Sequence, residues 1–233
     1  MRALLCVVDA AGPLRESRDM FGIARAALVN MLDMVAPVRC AMCGQSGAHL
    51  CQGCCTRYER GSLLMRPASP RAPCVYALGA HDGYLRKAIL AIKYRNRVDT
   101  AYALGVVLGR KLPGLFEAVV PVPLHRQRYR VRGCNQAEVI ARGVVSTGCA
   151  RLIADALERR KATLSQSSLH LHGRERNVRE AFSIGAHAMQ VQGLRVLIID
   201  DVVTTGATIA ACTAVLRSAG INVVGAAALA LRR

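Results

Sequence analysis

The 233-residue sequence predicts an α/β fold: a mostly parallel sheet with flanking helices, preceded by a small N-terminal helix and a cysteine knuckle. Two observations carry this. From Val75 onward, short apolar runs alternate with helical periodicities, the pattern left by strand–helix–strand crossovers. Ahead of that pattern, Cys40, Cys43, Cys51 and Cys54 form two Cys-x-x-Cys pairs too closely spaced to belong to such a core. With 52% hydrophobic residues, the chain can bury one α/β domain with a small appendage.

The elements are justified in order. Between Met20 and Val35, the residues Phe21, Ala24, Leu28, Met31, Leu32 and Val35 recur at three- and four-residue steps, tracing one apolar, core-packing face of a helix that Pro37 stops. Arg25 and Asp33 interrupt the longest apolar stretch, Phe21 to Val38, so it falls short of the about 18 residues that span a bilayer. It also lacks the contiguous apolar run and small-residue cleavage site of a secretory signal. A soluble, cytoplasmic chain with no membrane insertion is therefore expected. Residues 1–36 form the helical segment, 37–60 the knuckle and 61–74 a linker, in which Met65 to Pro73 holds three prolines among small and basic residues. Residues 75–233 form the α/β domain.

Ten cysteines in a cytosolic chain suit ligands, core positions or reactive thiols better than disulfides. Each Cys-x-x-Cys pair can grip one tetrahedral Zn²⁺, and Gly44, Gly47 and Gly53 supply turns for a compact knuckle. Free thiols or a disulfide pair are the alternatives. Cys55 or His49 can take the place of Cys54 as fourth ligand. Four thiolates leave no open position on the metal, so the site is expected to be structural.

Within the α/β domain, Val75 to Ala80 reads as a strand, and Tyr84 to Tyr94 as a helix with Leu85, Ala88, Ile89 and Ile92 on one face. Thr100 to Leu112 continues helically, Ala118 to Pro123 is a short β-branched run, and Asn135 to Val145 is another helix. Arg195 to Ile199 is a buried strand, Thr208 to Ala219 a helix stopped by Gly220, and Val223 to Leu231 a final strand.

The net charge of +17 suits a polyanionic partner, nucleic acid or a diphosphate. Lys87, Lys93, Lys111 and Lys161 are the only lysines, so the charge is mostly arginine, which GC-rich codon usage also produces. Three Phe, six Tyr and no Trp leave few rings on which bases could stack.

The sharpest chemical signal lies at Asp200 and Asp201. Val196-Leu197-Ile198-Ile199 is uniformly apolar, as a strand buried on both faces must be, and an unpaired carboxylate inside such a core costs several kcal/mol, of order of magnitude. The two acids must therefore emerge at the strand's carboxyl end, where open α/β sheets bind ligands. Val202 and Val203 lead into Thr204, Thr205, Gly206, Ala207 and Thr208, whose hydroxyls, glycine and free helix-terminal amides make an anion cradle. Ribose 5-phosphate fits: its diol donates to the carboxylates and its phosphate rests on the amides. No Gly-x4-Gly-Lys-Ser/Thr or Gly-x-Gly-x-x-Gly occurs, and no acid follows Asp201 to serve as a phosphorelay acceptor.

VLIIDDVVTTGAT, Val196 to Thr208, resembles the phosphoribosyl-diphosphate (PRPP) signature of type I phosphoribosyltransferases. Val120-Pro121-Val122-Pro123-Leu124-His125 and Arg132-Gly133-Cys134-Asn135-Gln136-Ala137-Glu138 narrow the resemblance to the ComF (GntX-like) family, which usually has Phe at the position of Cys134. Thr163, Gln166, Leu169, Arg174, Asn177, Phe182 and the Leu-Lys-Tyr-like Ile92-Lys93-Tyr94 fall at the family's spacing, and His81 replaces a usual aromatic.

The resemblance implies a type I phosphoribosyltransferase core that binds PRPP with Mg²⁺. Asp200 and Asp201 would be catalytic, and residues Val202 to Thr208 would hold the phosphate. It places Leu124 to Asn135 at the diphosphate loop, with Arg126, Arg128, Arg130 and Arg132 in range and Asn135 and Gln136 assisting. Lys161 to Glu180, polar and without apolar periodicity, suits a loop closing over the ligand, with Arg174 and Arg176 meeting diphosphate. Two functions stay open. One is transfer of phosphoribose to an unidentified acceptor. The other is a PRPP- or nucleotide-sensing module that acts with single-stranded DNA or DNA-uptake proteins, since the family is associated with competence.

Overall fold

A computed structural model describes residues 37–148, 150–160 and 181–232. The expected helix at Met20–Val35 and the polar stretch Lys161–Glu180, including Arg174 and Arg176, lie outside them. In chain order the elements are α1 (Gln52–Arg60), β1 (Leu64–Arg66), β2 (Val75–Ala80), α2 (Gly83–Tyr94), α3 (Val98–Gly109), β3 (Ala118–Pro121), α4 (Arg126–Arg132) and α5 (Gln136–Val145). There follow β4 (Arg151–Leu152), β5 (Leu157–Arg159), β6 (Phe182–Ile184), a 3-10 turn at Ala188–Val191, β7 (Arg195–Val203), α6 (Ala207–Ser218) and β8 (Asn222–Leu231).

Six strands form one sheet in the order β1-β2-β8-β7-β3-β4. All neighbours are parallel except β1, which runs antiparallel to β2 along the edge. Parallel pairs need crossovers, and the helices supply them on both faces. On one face Leu85, Ile89 and Ile92 of α2, Leu104 and Leu108 of α3, and Ile140 and Val144 of α5 pack against Leu197 and Ile199. On the other, Ile209, Cys212 and Leu216 of α6 join Leu157 and Phe182, from the antiparallel β5–β6 pair, against Val196 and Ile198.

The knuckle packs onto the first of these faces. Cys40, Cys51, Cys54 and Cys55 are buried in the same cluster as α3. Glu59 accepts from Arg110 Nη1 at 2.6 Å, and Lys111 donates to the carbonyls of Glu59 (2.8 Å) and Gly61, tying the end of α1 to the end of α3. His49 meets the start of α3, with Nε2 3.2 Å from Asp99 Oδ2 and Nδ1 3.0 Å from Arg97 Nη1.

Two sequence expectations change. The stretch read as a linker contains β1, because Leu64 and Arg66 turn inward on the edge of β2 while Met65 faces solvent. The strand expected to end at Ile199 runs on to Val203, because β8 continues to pair with it through Val203↔Leu231. On its other side, pairing with β3 stops at Pro121↔Ile199. Asp200 and Asp201 therefore lie inside a strand, but at the point where it loses one neighbour.

Candidate functional site

Successive strand residues point to opposite faces, so β7 delivers its two carboxylates to different sides. Asp201 follows Leu197 and Ile199 toward the α2 face, where Lys93 Nζ stands 3.0 Å from its Oδ2. Asp200 follows Val196 and Ile198 toward α6, within the field of Cys212 and Arg159. Its Oδ1 accepts the Asp201 amide at 2.8 Å. Burial, reinforced by the neighbouring Asp201 charge, pushes the Asp200 carboxyl up to about 7, against the opposing pull of its own amide bond, Lys93 and Arg159.

The loop beyond the strand turns sharply into α6. Gly206 has φ 86°, a left-handed conformation that turns the chain into α6 and favours glycine. Thr205 Oγ1 accepts the Ala207 amide at 3.3 Å. Asp200 and residues 202–209 line a small hollow at the amino end of α6. Arg66 reaches in from β1, donating through Nη2 to the carbonyl of Thr204 at 2.7 Å and to that of Arg232 at 3.3 Å.

The end of β3 lies beside this site, since the Val122 amide donates to the Ile199 carbonyl at 2.8 Å. Asn135 ties α5 to the same point: Nδ2 donates to the Val122 carbonyl at 3.1 Å while Oδ1 caps the helix by accepting the Ala137 amide at 3.2 Å. Gln136 is buried, and its Oε1 accepts from Arg132 Nη1 at 3.1 Å. Arg132 also lies over the Tyr94 ring, 5.9 Å from its centroid. The side chains of Asn135 and Gln136 thus hold the local structure together. Arg126 stands 86% exposed, 3.6 Å from Glu158, on α4, a short helix with no buried residue.

Four residues of the site were not assigned a role from sequence. Lys93 was visible only within a family tripeptide, and Arg66 lay in the supposed linker. Arg159 packs over Phe182 at 5.2 Å, and burial and then Arg128 lower its pKa. His81 follows β2, donating its amide to the Leu231 carbonyl at 2.8 Å; burial, then Lys93, Arg86 and Arg232, hold its imidazole below its ordinary range, despite Asp201.

The residues fit the two metals that the sequence suggests. At the acidic pair, hard carboxylate oxygens are the donors Mg²⁺ takes, and the Lys93 ammonium shows that a cation is accommodated there. In the knuckle, the sulfurs of Cys40, Cys43, Cys51 and Cys54 all lie within 4.8 Å of one another. His49 is engaged by Arg97 and Asp99, so the fourth position of this cluster belongs to Cys54. Burial of Cys40 is outweighed by the amides of Cys43, Cys51 and Met42, which bring its thiol down to about 6. Burial raises Cys51 and Cys54. One thiolate ready to form among crowded neighbours is a donor set that a cation completes.

Known proteins resemble this chain in sequence. Residues 146–233 match the phosphoribosyl transferase domain family. DNA utilization protein YhgH of Salmonella typhimurium is 31% identical over 180 residues, covering 73% of this chain and 74% of its own. Competence protein F of Haemophilus influenzae is 33% identical over 112 residues, 48% of each chain. A solved chain titled as the allosteric regulatory enzyme of purine biosynthesis is 17% identical, covers 61% of this chain and 30% of its own, and superposes with a TM-score of 0.38. With its phosphoribosyl transferase domain, its parallel sheet and these relatives, the chain belongs to the ComF (GntX-like) family of type I phosphoribosyltransferase-like proteins.

Proposed function

We propose that this protein binds PRPP together with Mg²⁺ at the carboxyl end of β7 and transfers its phosphoribosyl group to an acceptor yet to be identified. The observation that carries the reading is the joining of Asp200 and Asp201 to a glycine turn and hollow at the amino end of α6, at the point where β3 pairing stops. The turn takes the 5-phosphate on its amides, and Asp200 and Asp201 accept the ribose hydroxyls. The carboxylate of Asp201 would hold Mg²⁺, which would supply positive charge against the departing diphosphate. Arg126, Arg132, Asn135, Gln136, Arg174 and Arg176 are proposed as the diphosphate side of the site, to stabilise the departing charge. The Cys40–Cys43–Cys51–Cys54 cluster holds a structural Zn²⁺ in this reading, and the protein works in the cytoplasm. Among the described residues no helix is long and apolar enough to cross a membrane.

The test is calorimetry of PRPP with Mg²⁺ against the parent protein and an Asp200→Asn/Asp201→Asn double variant. Binding in the parent and its loss in the variant are expected; equal binding in both sinks the reading.

A second reading, a PRPP- or nucleotide-sensing module that works on DNA, is favoured by two observations. The relatives are named for DNA utilization and competence, and α4 presents Arg126, Arg130, Tyr129 and Val131 to solvent. Salt-dependent binding of single-stranded DNA that survives in the double variant, without PRPP cleavage across an acceptor screen, would select it.

A further inference from the structure

The ion pair between Lys93 and Asp201 extends the PRPP reading, on which this inference rests. Lys93 Nζ is 3.0 Å from Asp201 Oδ2, and the two side chains are only 21% and 16% exposed. Such enclosure separates the pair from ordinary surface ion pairs, which water and salt largely cancel. Its placement is also fixed from both sides. Asp201 sits on a strand held by β8, and Lys93 occupies the last turn of α2, a helix pinned by Leu85, Ala88, Ile89 and Ile92. A cation at that end of a helix is further favoured by the backbone dipoles.

We propose that Lys93 is a built-in counter-ion, which holds the Asp201 carboxylate in the ligand-free protein and yields it to a divalent cation that enters with the ligand. A carboxylate oxygen is what both cations seek, and an ammonium and a divalent metal repel each other at that separation. The two therefore compete for Oδ2. A lysine suits this role because its charge is compact and its four-carbon stem can swing without moving the helix. Once displaced, the ammonium is left beside the diphosphate-bearing side of the site and becomes a ligand contact. Asp200, on the other face of β7, lies in the field of Arg159 as well as that of Lys93, so it does not depend on Lys93 alone. Metal entry is thereby tied to anion arrival, since either one alone leaves a charge without its partner.

The experiment uses the full chain and titrates Mn²⁺, followed by electron paramagnetic resonance, in the absence of PRPP. Lys93→Met is expected to bind Mn²⁺ at least ten-fold more tightly than the parent, and Lys93→Arg to stay near the parent. Adding Asp201→Asn to Lys93→Met is expected to abolish the gain. Calorimetry with PRPP and Mg²⁺ is run on the same samples, where Lys93→Met is expected to lose about ten-fold. If Lys93→Met does not fold, Lys93→Gln takes its place with the same expectation. Parent binding of Mg²⁺–PRPP with equal Mn²⁺ affinity in parent and variant overturns the counter-ion role. A Mn²⁺ gain without Mg²⁺–PRPP binding in the parent keeps that role and overturns the PRPP reading instead.

Discussion

The guanidinium of Arg66, on the edge strand, donates to the carbonyl oxygen of Thr204 at 2.7 Å across 138 residues of sequence. That bond holds one carbonyl of the loop leading into α6, beside the hollow that residues 202–209 line. The second bond of Arg66, to the Arg232 carbonyl, ties the same guanidinium to the end of β8. Arg66→Ala is expected to weaken binding of ribose 5-phosphate about ten-fold, with an unchanged far-ultraviolet circular dichroism spectrum. Both bonds leave Nη2, so a lysine ammonium has donors enough for them but sits on a shorter stem, and Arg66→Lys should recover only part of the loss. Identical affinities in calorimetry would show that the turn holds its shape unaided.

The Asp200 carboxyl, raised to about 7 chiefly by burial and then by Asp201, links stability and binding to pH. A folded-state pKa above the unfolded one means the folded chain holds the proton more tightly. The stabilisation is complete below the ordinary carboxyl value of 3.8 and is lost as pH rises through about 7. Asp200→Asn keeps a neutral side chain at every pH. Its melting temperature relative to the parent should therefore climb by a few degrees between pH 5 and pH 8. Ligand binding runs the other way, because a ribose diol and a cation favour the ionised acid. PRPP affinity is expected to increase from pH 6 to pH 8 in the parent and to stay flat in the variant. A flat profile in the parent would assign the acid a different ionisation.

Much of this was legible from sequence for physical reasons. Val196 to Ile199 could only be a strand buried on both faces, and Gly206 following two threonines could only be a turn into a helix. The cysteine spacing marked the cluster that the fold assembles. What escaped reading depended on long-range pairing. Leu64–Arg66 has too few residues for a periodicity, and β2 alone makes it a strand. β5 and β6 pair antiparallel over three residues each, too short to announce themselves. The continuation of β7 past Ile199 depends on pairing with β8 residues 28 positions further along the chain, as Asp200 with Ala228. Lys93 and Arg66 are ordinary basic residues until the sheet edge and α2 bring them to the site.

The contact between α3 and α5 gives a packing test. A Cβ placed on Gly143 would stand 2.3 Å from the Tyr102 carbonyl oxygen, and one on Gly105 would stand 2.3 Å from that of Ile140. Those are backbone atoms, which cannot rotate away, so the helices must separate. Gly143→Ala gains about 1 kcal/mol of helix propensity but incurs overpacking of roughly 1–3 kcal/mol or more. A net loss is expected, read as a melting temperature lower by several degrees. Because both substitutions open the same gap, Gly105→Ala combined with Gly143→Ala should cost less than the sum of the two. Simple additivity in thermal denaturation would mean that the helices accommodate each methyl separately.

The cysteine cluster makes the last test, and its logic is the coupling of metal binding to folding. Ligands that are scattered in the unfolded chain and gathered in the folded one return their binding energy as stability. Here the gathered state is also docked, through Glu59 on Arg110 and His49 on Asp99. Loss of the metal should therefore loosen α1 from α3 as well as the knuckle itself. A strong chelator is expected to lower the melting temperature and to speed amide exchange at residues 40–60, then 98–111. Cys43→Ser, at the exposed corner of the cluster, should lower the zinc content measured by mass spectrometry. Cys55→Ser should leave it unchanged, because Cys55 lies in the core outside the four-sulfur cluster. Equal zinc in the parent and Cys43→Ser would remove Cys43 from the ligand set, whereas zinc lost in Cys55→Ser would bring Cys55 into it.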